Sequence, residues 1–226
     1  MGKKNGGRRP VGDALNALDK AIRERDVLEL RRRASVGLPD GMRAQVWPLL
    51  AGVQDDDPGW PLCVLCCISL AGVNPCTRGR VGLPARMIPH RDQSVVEVDV
   101  IRSLHHWAPP GTDSAQLRSQ LESMLNGVVT AHSGSVFYYQ GLHDIAQVLL
   151  LVLGFETGFR VLSRLVVGPL RDCTRPDLDP VVRSLSLLQP ILAAADPVLA
   201  AALADAGIPP YFAISWLITW LAHDIS

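Results

Sequence analysis

The chain has 226 residues, 48% hydrophobic and 19% charged, which fits one globular domain with a real core and excludes a disordered chain. Formal net charge is zero, yet residues 1–33 hold ten Lys/Arg against five Asp/Glu, and the remainder twelve against seventeen. The body is therefore mildly acidic, which argues against a nucleic-acid-binding face.

Residues 1–10, with Lys3, Lys4, Arg8 and Arg9, read as a disordered basic tail. Leu15, Leu18, Ile22, Leu28 and Leu30 then fall at helical spacing over 11–33, with Gly12-Asp13 as the expected cap. Residues 37–41 make a Gly/Pro turn. A short helix follows over 42–50, with Trp47 expected to point inward. Residues 52–59 read as a loop, and 60–92, rich in Cys, Gly and Pro, has no sustained period.

Helical spacing returns over 92–107, with Val95, Val96, Val98 and Ile101 as its apolar positions. Asp113 or Ser114 caps a helix to about 132, with Leu117, Leu121, Met124, Leu125 and Val128 on one face. The apolar stretch 140–154 predicts a central helix, and 157–167 and 181–194 predict two more. Asp196-Pro197 starts another in N-cap/N1 style. Gly207, Pro209 and Pro210 end it, and 211–224 reads as the last helix. No alternation of period two appears, so the expected class is all-α, with many short helices.

The apolar stretches 61–73, 145–153 and 208–222 fall short of the roughly eighteen continuous apolar residues a membrane span needs. No membrane span and no secretory signal is expected. The five cysteines, 63, 66, 67, 76 and 173, form an odd set that points to reduced thiols in the cytosol. Cys63-x-x-Cys66 with Cys67 and Cys76 has the look of half a zinc site. Three of the four sit in an apolar run, which speaks against metal. His90, His105, His106, His132, His143 and His223 show no ligand spacing. There is neither a Gly-x-Ser-x-Gly elbow around Ser133 and Ser135 nor a phosphate-binding Gly-Lys-Ser/Thr loop, so no nucleotide is expected to bind the chain alone.

Three ordered motifs carry the chemistry. The first is Gly37-Leu38-Pro39-x-x-x-Arg43-x-x-x-Trp47-x-x-Leu50-x-Gly52. Arg43 and Trp47 share a helix face there, with Trp47 read as a core anchor and Arg43 as a donor at its edge. The second is Val96-x-x-Asp99-x-x-Arg102, which puts a carboxylate one helical turn from a guanidinium. Alone it reads as an ordinary surface ion pair on an amphipathic helix. The third is Tyr138-Tyr139-Gln140-Gly141 at a turn-to-helix junction, with aromatics to pack beneath the loop, a glycine for close approach, and Asp144 one turn on to hold it.

Together the motifs resemble the signature of TBC-domain GTPase-activating proteins for Rab GTPases, with Leu38 and Val96 where the family usually has Ile. The resemblance implies an irregular multi-helix TBC fold over 11–226. It also implies a dual-finger mechanism supplied in trans. Arg102 neutralises charge developing on the γ-phosphate, Gln140 orients the attacking water, and Asp99, Tyr138, Gly141, Asp144, Arg43 and Trp47 support them. The chain would carry no cofactor, because GTP and magnesium belong to the partner GTPase. Tyr139-Gln140-Gly141-x-His143-Asp144-Ile145 and Ser215-Trp216-Leu217-Ile218-Thr219-Trp220 resemble the family's member-20 branch. That branch implies a Rab of the early secretory pathway and, for a full-length relative with its anchor, the cytosolic face of the endoplasmic reticulum or Golgi. Two departures are expected: an atypical insert at about 60–90, and an incomplete domain lacking its C-terminal helices. The competing reading is a non-catalytic module that binds a Rab or another partner on a truncated TBC fold. A helical repeat scaffold finds no period to support it.

Overall fold

The computed structural model describes residues 11–53, 90–104 and 113–223. The expected tail over 1–10, most of the 60–90 insert, four of the cysteines, and His105, His106 and Trp107 lie outside the described residues. Among those described, the structure is helical throughout, with no strand. The chain divides into two compact units, Met1–Asp57 and Pro58–Ser226.

In the first unit the single amphipathic stretch expected over 11–33 is two helices, α1 (Val11–Arg23) and α2 (Val27–Ala34). The break lies at Arg25, whose φ of 50° is left-handed, and at Asp26, whose side chain accepts the Glu29 N–H at 3.0 Å to cap α2. The bend brings Leu30 onto a core of Leu18, Ala21 and Val46. Glu29, gripped by Arg32 at 2.6 Å and Arg33 at 2.7 Å, is held down at a pKa of about 2, chiefly by the Arg32 hydrogen bond. Helix α3 (Asp40–Leu50) follows Gly37, whose φ of 120° suits glycine. Its buried residue is Val46; Trp47 is only partly covered. Arg43 is no buried donor. It stands 6.0 Å over the Trp47 ring and pairs with Asp40 at 2.8 Å in solvent.

The second unit is built on α5 (Ser114–Ala131) and α6 (Leu142–Val167), which pack against each other. The expected α5 cap holds: Asp113 accepts from Ala115 N–H at 2.9 Å and Gln116 N–H at 3.3 Å. Leu121, Met124, Leu125 and Val128 are fully buried. By length and composition α6 would suffice to cross a membrane, but half of its apolar window is buried within the protein. Gly154, at φ 73° and ψ 177°, breaks α6 where the expected helix over 140–154 ends. Beyond the break, Gly158 passes close enough to Leu149 that an added Cβ would sit 3.1 Å from its carbonyl oxygen.

Helix α4 (Gln93–Arg102) packs on α5 and α6. It buries Val96, Asp99 and Val100, while Val95, Val98 and Ile101, also apolar, are exposed. The stretch expected as one helix over 181–194 is α7 (Asp179–Leu185) and α8 (Leu188–Ala195). Asp196 caps α9 (Pro197–Asp205) through Leu199 N–H at 3.0 Å, as expected. The final helix is shorter than expected. A 3-10 turn, Pro210–Ala213, leads into α10 (Ile214–Thr219), and left-handed Trp220 and Leu221 end it. Before that end, the rings of Phe212 and Trp216 meet edge-on at 5.7 Å.

Candidate functional site

An open cleft of about 950 Å³ lies in the second unit, and both Arg102 and Gln140 line it. Asp99, Tyr138, Gly141 and Asp144 line it too. The other two expected supporting residues, Arg43 and Trp47, belong to the first unit and pair with each other there.

Arg102 is the last residue of α4 and is exposed. The expected pairing with Asp99 is not made. Asp99 is 3% exposed and turns into the protein, where its Oδ2 accepts the Tyr138 hydroxyl at 2.8 Å and lies 3.5 Å from His143 Nδ1. A guanidinium at the helix end cannot follow it inward. Among the described residues Arg102 makes no hydrogen bond or ion pair. After Arg102 the chain turns sharply. Ser103 is extended, and Leu104 takes a φ of 67° with its side chain buried. That left-handed conformation costs a non-glycine residue about 1–3 kcal/mol, so its neighbours must hold it.

Gln140 is exposed at the tip of a loop whose flanks are fixed. Tyr138 hydrogen-bonds Asp99 through its side chain, and its N–H donates to Asp92 Oδ2 at 3.1 Å. Asp92 in turn pairs with Arg91 at 2.8 Å, whose guanidinium stacks 4.6 Å from the Phe137 ring. Tyr139 donates its hydroxyl to the Ile218 carbonyl of α10 at 2.8 Å. Burial drives both phenols well above their ordinary range; Asp99 adds to the effect at Tyr138, and Cys173 and Asp144 add to it at Tyr139. Both hydroxyls therefore stay protonated and remain donors. Gly141, at φ 114°, lies against α10 so closely that a Cβ would meet Thr219 Cγ2 at 3.0 Å. The close approach is to a side chain.

Asp144 does not hold the glutamine loop through its carboxylate. Its Oδ1 accepts Gln147 Nε2 at 3.3 Å and lies 3.5 Å from His143 Nε2, and its Oδ2 lies 3.3 Å from His223 Nδ1. Gln147 Oε1 accepts the Leu104 N–H at 3.2 Å. Asp92, His143 and Gln147 were not among the expected supporting residues. Their partners lie up to 46 residues away in sequence, and no local spacing signals such contacts. Among the described residues no cluster of His, Cys, Asp or Glu could hold a metal ion.

Two exposed polar side chains, an arginine and a glutamine, unpaired among the described residues, thus stand on locked backbones at the rim of one cleft. The family profile described as the Rab-GTPase-TBC domain matches residues 40–226. The chain belongs to that family. This TBC domain is 44% identical over 137 residues to "GTPase-activating protein gyp10" of Schizosaccharomyces pombe, covering 61% of the chain and 36% of that protein. It is 33% identical over 206 residues to "TBC1 domain family member 20" of Bos taurus, covering 89% of the chain and 46% of the relative. The protein of that name from Homo sapiens is 32% identical over the same length and shares. The TBC domain chain therefore spans less than half the length of each of these relatives.

Proposed function

We propose that this chain is a GTPase-activating protein for a Rab-family small GTPase, acting through two side chains supplied in trans. The observation that carries the reading is that Arg102 and Gln140 line one cleft, unpaired among the described residues, on backbones fixed by Asp99–Tyr138 and Tyr139–Ile218 hydrogen bonds. The relative printed as a GTPase-activating protein supports it. In this reading the γ-phosphate of GTP enters the cleft, and the Arg102 fork meets the charge that develops on its oxygens. The Gln140 carboxamide accepts from and donates to the attacking water. Both groups are set before the partner arrives, so little ordering entropy opposes the transition state. GTP and magnesium arrive with the GTPase. An arginine supplied this way is worth roughly 10³–10⁵ in rate.

The resemblance to the member-20 branch supports a partner among Rabs of the early secretory pathway, acting on the cytosolic face of the endoplasmic reticulum or Golgi. Single-turnover GTP hydrolysis across a panel of Rab GTPases tests the reading. Acceleration of at least one, abolished by Arg102→Ala, is expected. Binding without acceleration would leave the non-catalytic module instead.

A further inference from the structure

Gln147 is a polar side chain in a long, largely apolar helix, and it is 4% exposed. Both ends of its carboxamide are used. Oε1 accepts the Leu104 N–H at 3.2 Å, and Nε2 donates to Asp144 Oδ1 at 3.3 Å. Asp144 is itself braced by His143 and His223. Leu104 lies two residues past Arg102, in a left-handed conformation that leucine does not hold unaided. Its side chain is anchored in the core at 2% exposure, and its amide has no helical carbonyl to reach, because α4 has ended. Gln147 supplies the missing acceptor.

We propose that Gln147 is a positioning residue for Arg102: it pins the turn after α4 to the first turns of α6 and so fixes where the guanidinium stands relative to Gln140. The inference rests on the proposed GTPase-activating function, though the pinning itself does not. The glutamine loop leads into the N-terminal end of α6, so the helix that follows Gln140 also holds, through Gln147 in its second turn, the turn after Arg102. Without Gln147 the Leu104 amide loses its acceptor and the turn relaxes toward ordinary backbone, displacing the arginine. A displacement near 1 Å costs up to about 100-fold in rate.

The test compares the whole chain with Gln147→Leu, which is similar in size and suits an apolar surround. Two readouts are used: single-turnover hydrolysis with the GTP-loaded Rab most accelerated by the parent chain, and exchange of the Leu104 amide in ¹⁵N-labelled protein. The expected result is a maximal rate about tenfold or more lower, half-saturation unchanged within twofold, and faster exchange at Leu104. Gln147→Glu, assayed at pH 6 beside the parent, keeps an acceptor oxygen and takes a proton where Asp144 crowds it. It is expected to recover most of the maximal rate. An unchanged maximal rate in Gln147→Leu overturns the proposal. So does a joint loss of rate and affinity with faster exchange along all of α6, which marks a merely structural role. If Gln147→Leu does not fold, failure of the glutamate variant to recover the rate overturns the proposal. If the parent accelerates no Rab, the functional reading falls, and unchanged exchange at Leu104 in Gln147→Leu would overturn the pinning separately.

Discussion

Asp99 and Tyr138 show how a buried pair can serve an exposed one. The carboxylate sits in the protein with one short donor at 2.8 Å, and that bond joins the helix bearing Arg102 to the loop bearing Gln140. Tyr138→Phe removes the donor and leaves a buried charge less satisfied, at a cost of about 1–3 kcal/mol. Urea unfolding should show that loss, and the GTPase-activating rate should fall with it as both finger backbones loosen. Arg102→Lys should restore little of the activity lost in Arg102→Ala, because an ammonium is a point charge and cannot copy the two-pronged contact of a guanidinium. Hydrolysis rates of the two variants, measured side by side, check this. At this scale the sequence was partly legible. Arg102, Gln140, Tyr138 and Gly141 stand out because their motifs are local. The partner of Asp99 does not, since an i, i+3 arginine looks like the obvious mate until Tyr138, 39 residues on, takes the carboxylate. Gln147 was invisible for the same reason: a glutamine among leucines has meaning only once Leu104 is beside it.

Helix ends were legible where a side chain marks them and illegible where backbone conformation does. Asp113 and Asp196 cap their helices as their sequence positions imply. The breaks at Arg25, Trp220 and Leu221 occur at left-handed non-glycine residues, which no propensity favours and only tertiary packing selects. The buried face of α4 was not legible because valine and isoleucine surround the helix on several sides, and Asp99, an acidic residue, marks the inside. Gly154 is a clear case of a glycine placed for its backbone. Nothing lies within 4 Å of where a Cβ would be, so Gly154→Ala introduces no clash, only an unfavourable φ of 73°. A loss of about 1–3 kcal/mol in unfolding free energy is expected. A gain in stability would mean that α6 straightens and the bend is dispensable. Asp196→Ala should cost about 1 kcal/mol. Because α8 and α9 bury no residue, amide exchange there should report the loss before global unfolding does.

Three buried acids of the second unit lose their protons only on the alkaline side. Burial, aided by Asp172, raises the Cys173 thiol from 9.0 to about 11, and Tyr138 and Tyr139 are raised as well. An acid whose pKa is higher in the folded state keeps its proton there while the unfolded chain loses it. Stability from Cys173 is therefore full below pH 9 and lost as pH rises toward 11. Urea midpoints at pH 8 and pH 10.5 should fall in that order, and the gap should narrow in Cys173→Ala. At neutral pH the thiol should resist alkylation until the chain unfolds.

In the proposed function this TBC domain brings both an arginine and a glutamine to the GTPase. That function is tested most directly by single-turnover hydrolysis with a responsive Rab whose own switch glutamine has been replaced. Acceleration is expected to persist with that Rab and to disappear with Gln140→Ala and with Arg102→Ala. Acceleration that vanishes with the Rab's glutamine and ignores Gln140 would contradict the two-residue mechanism.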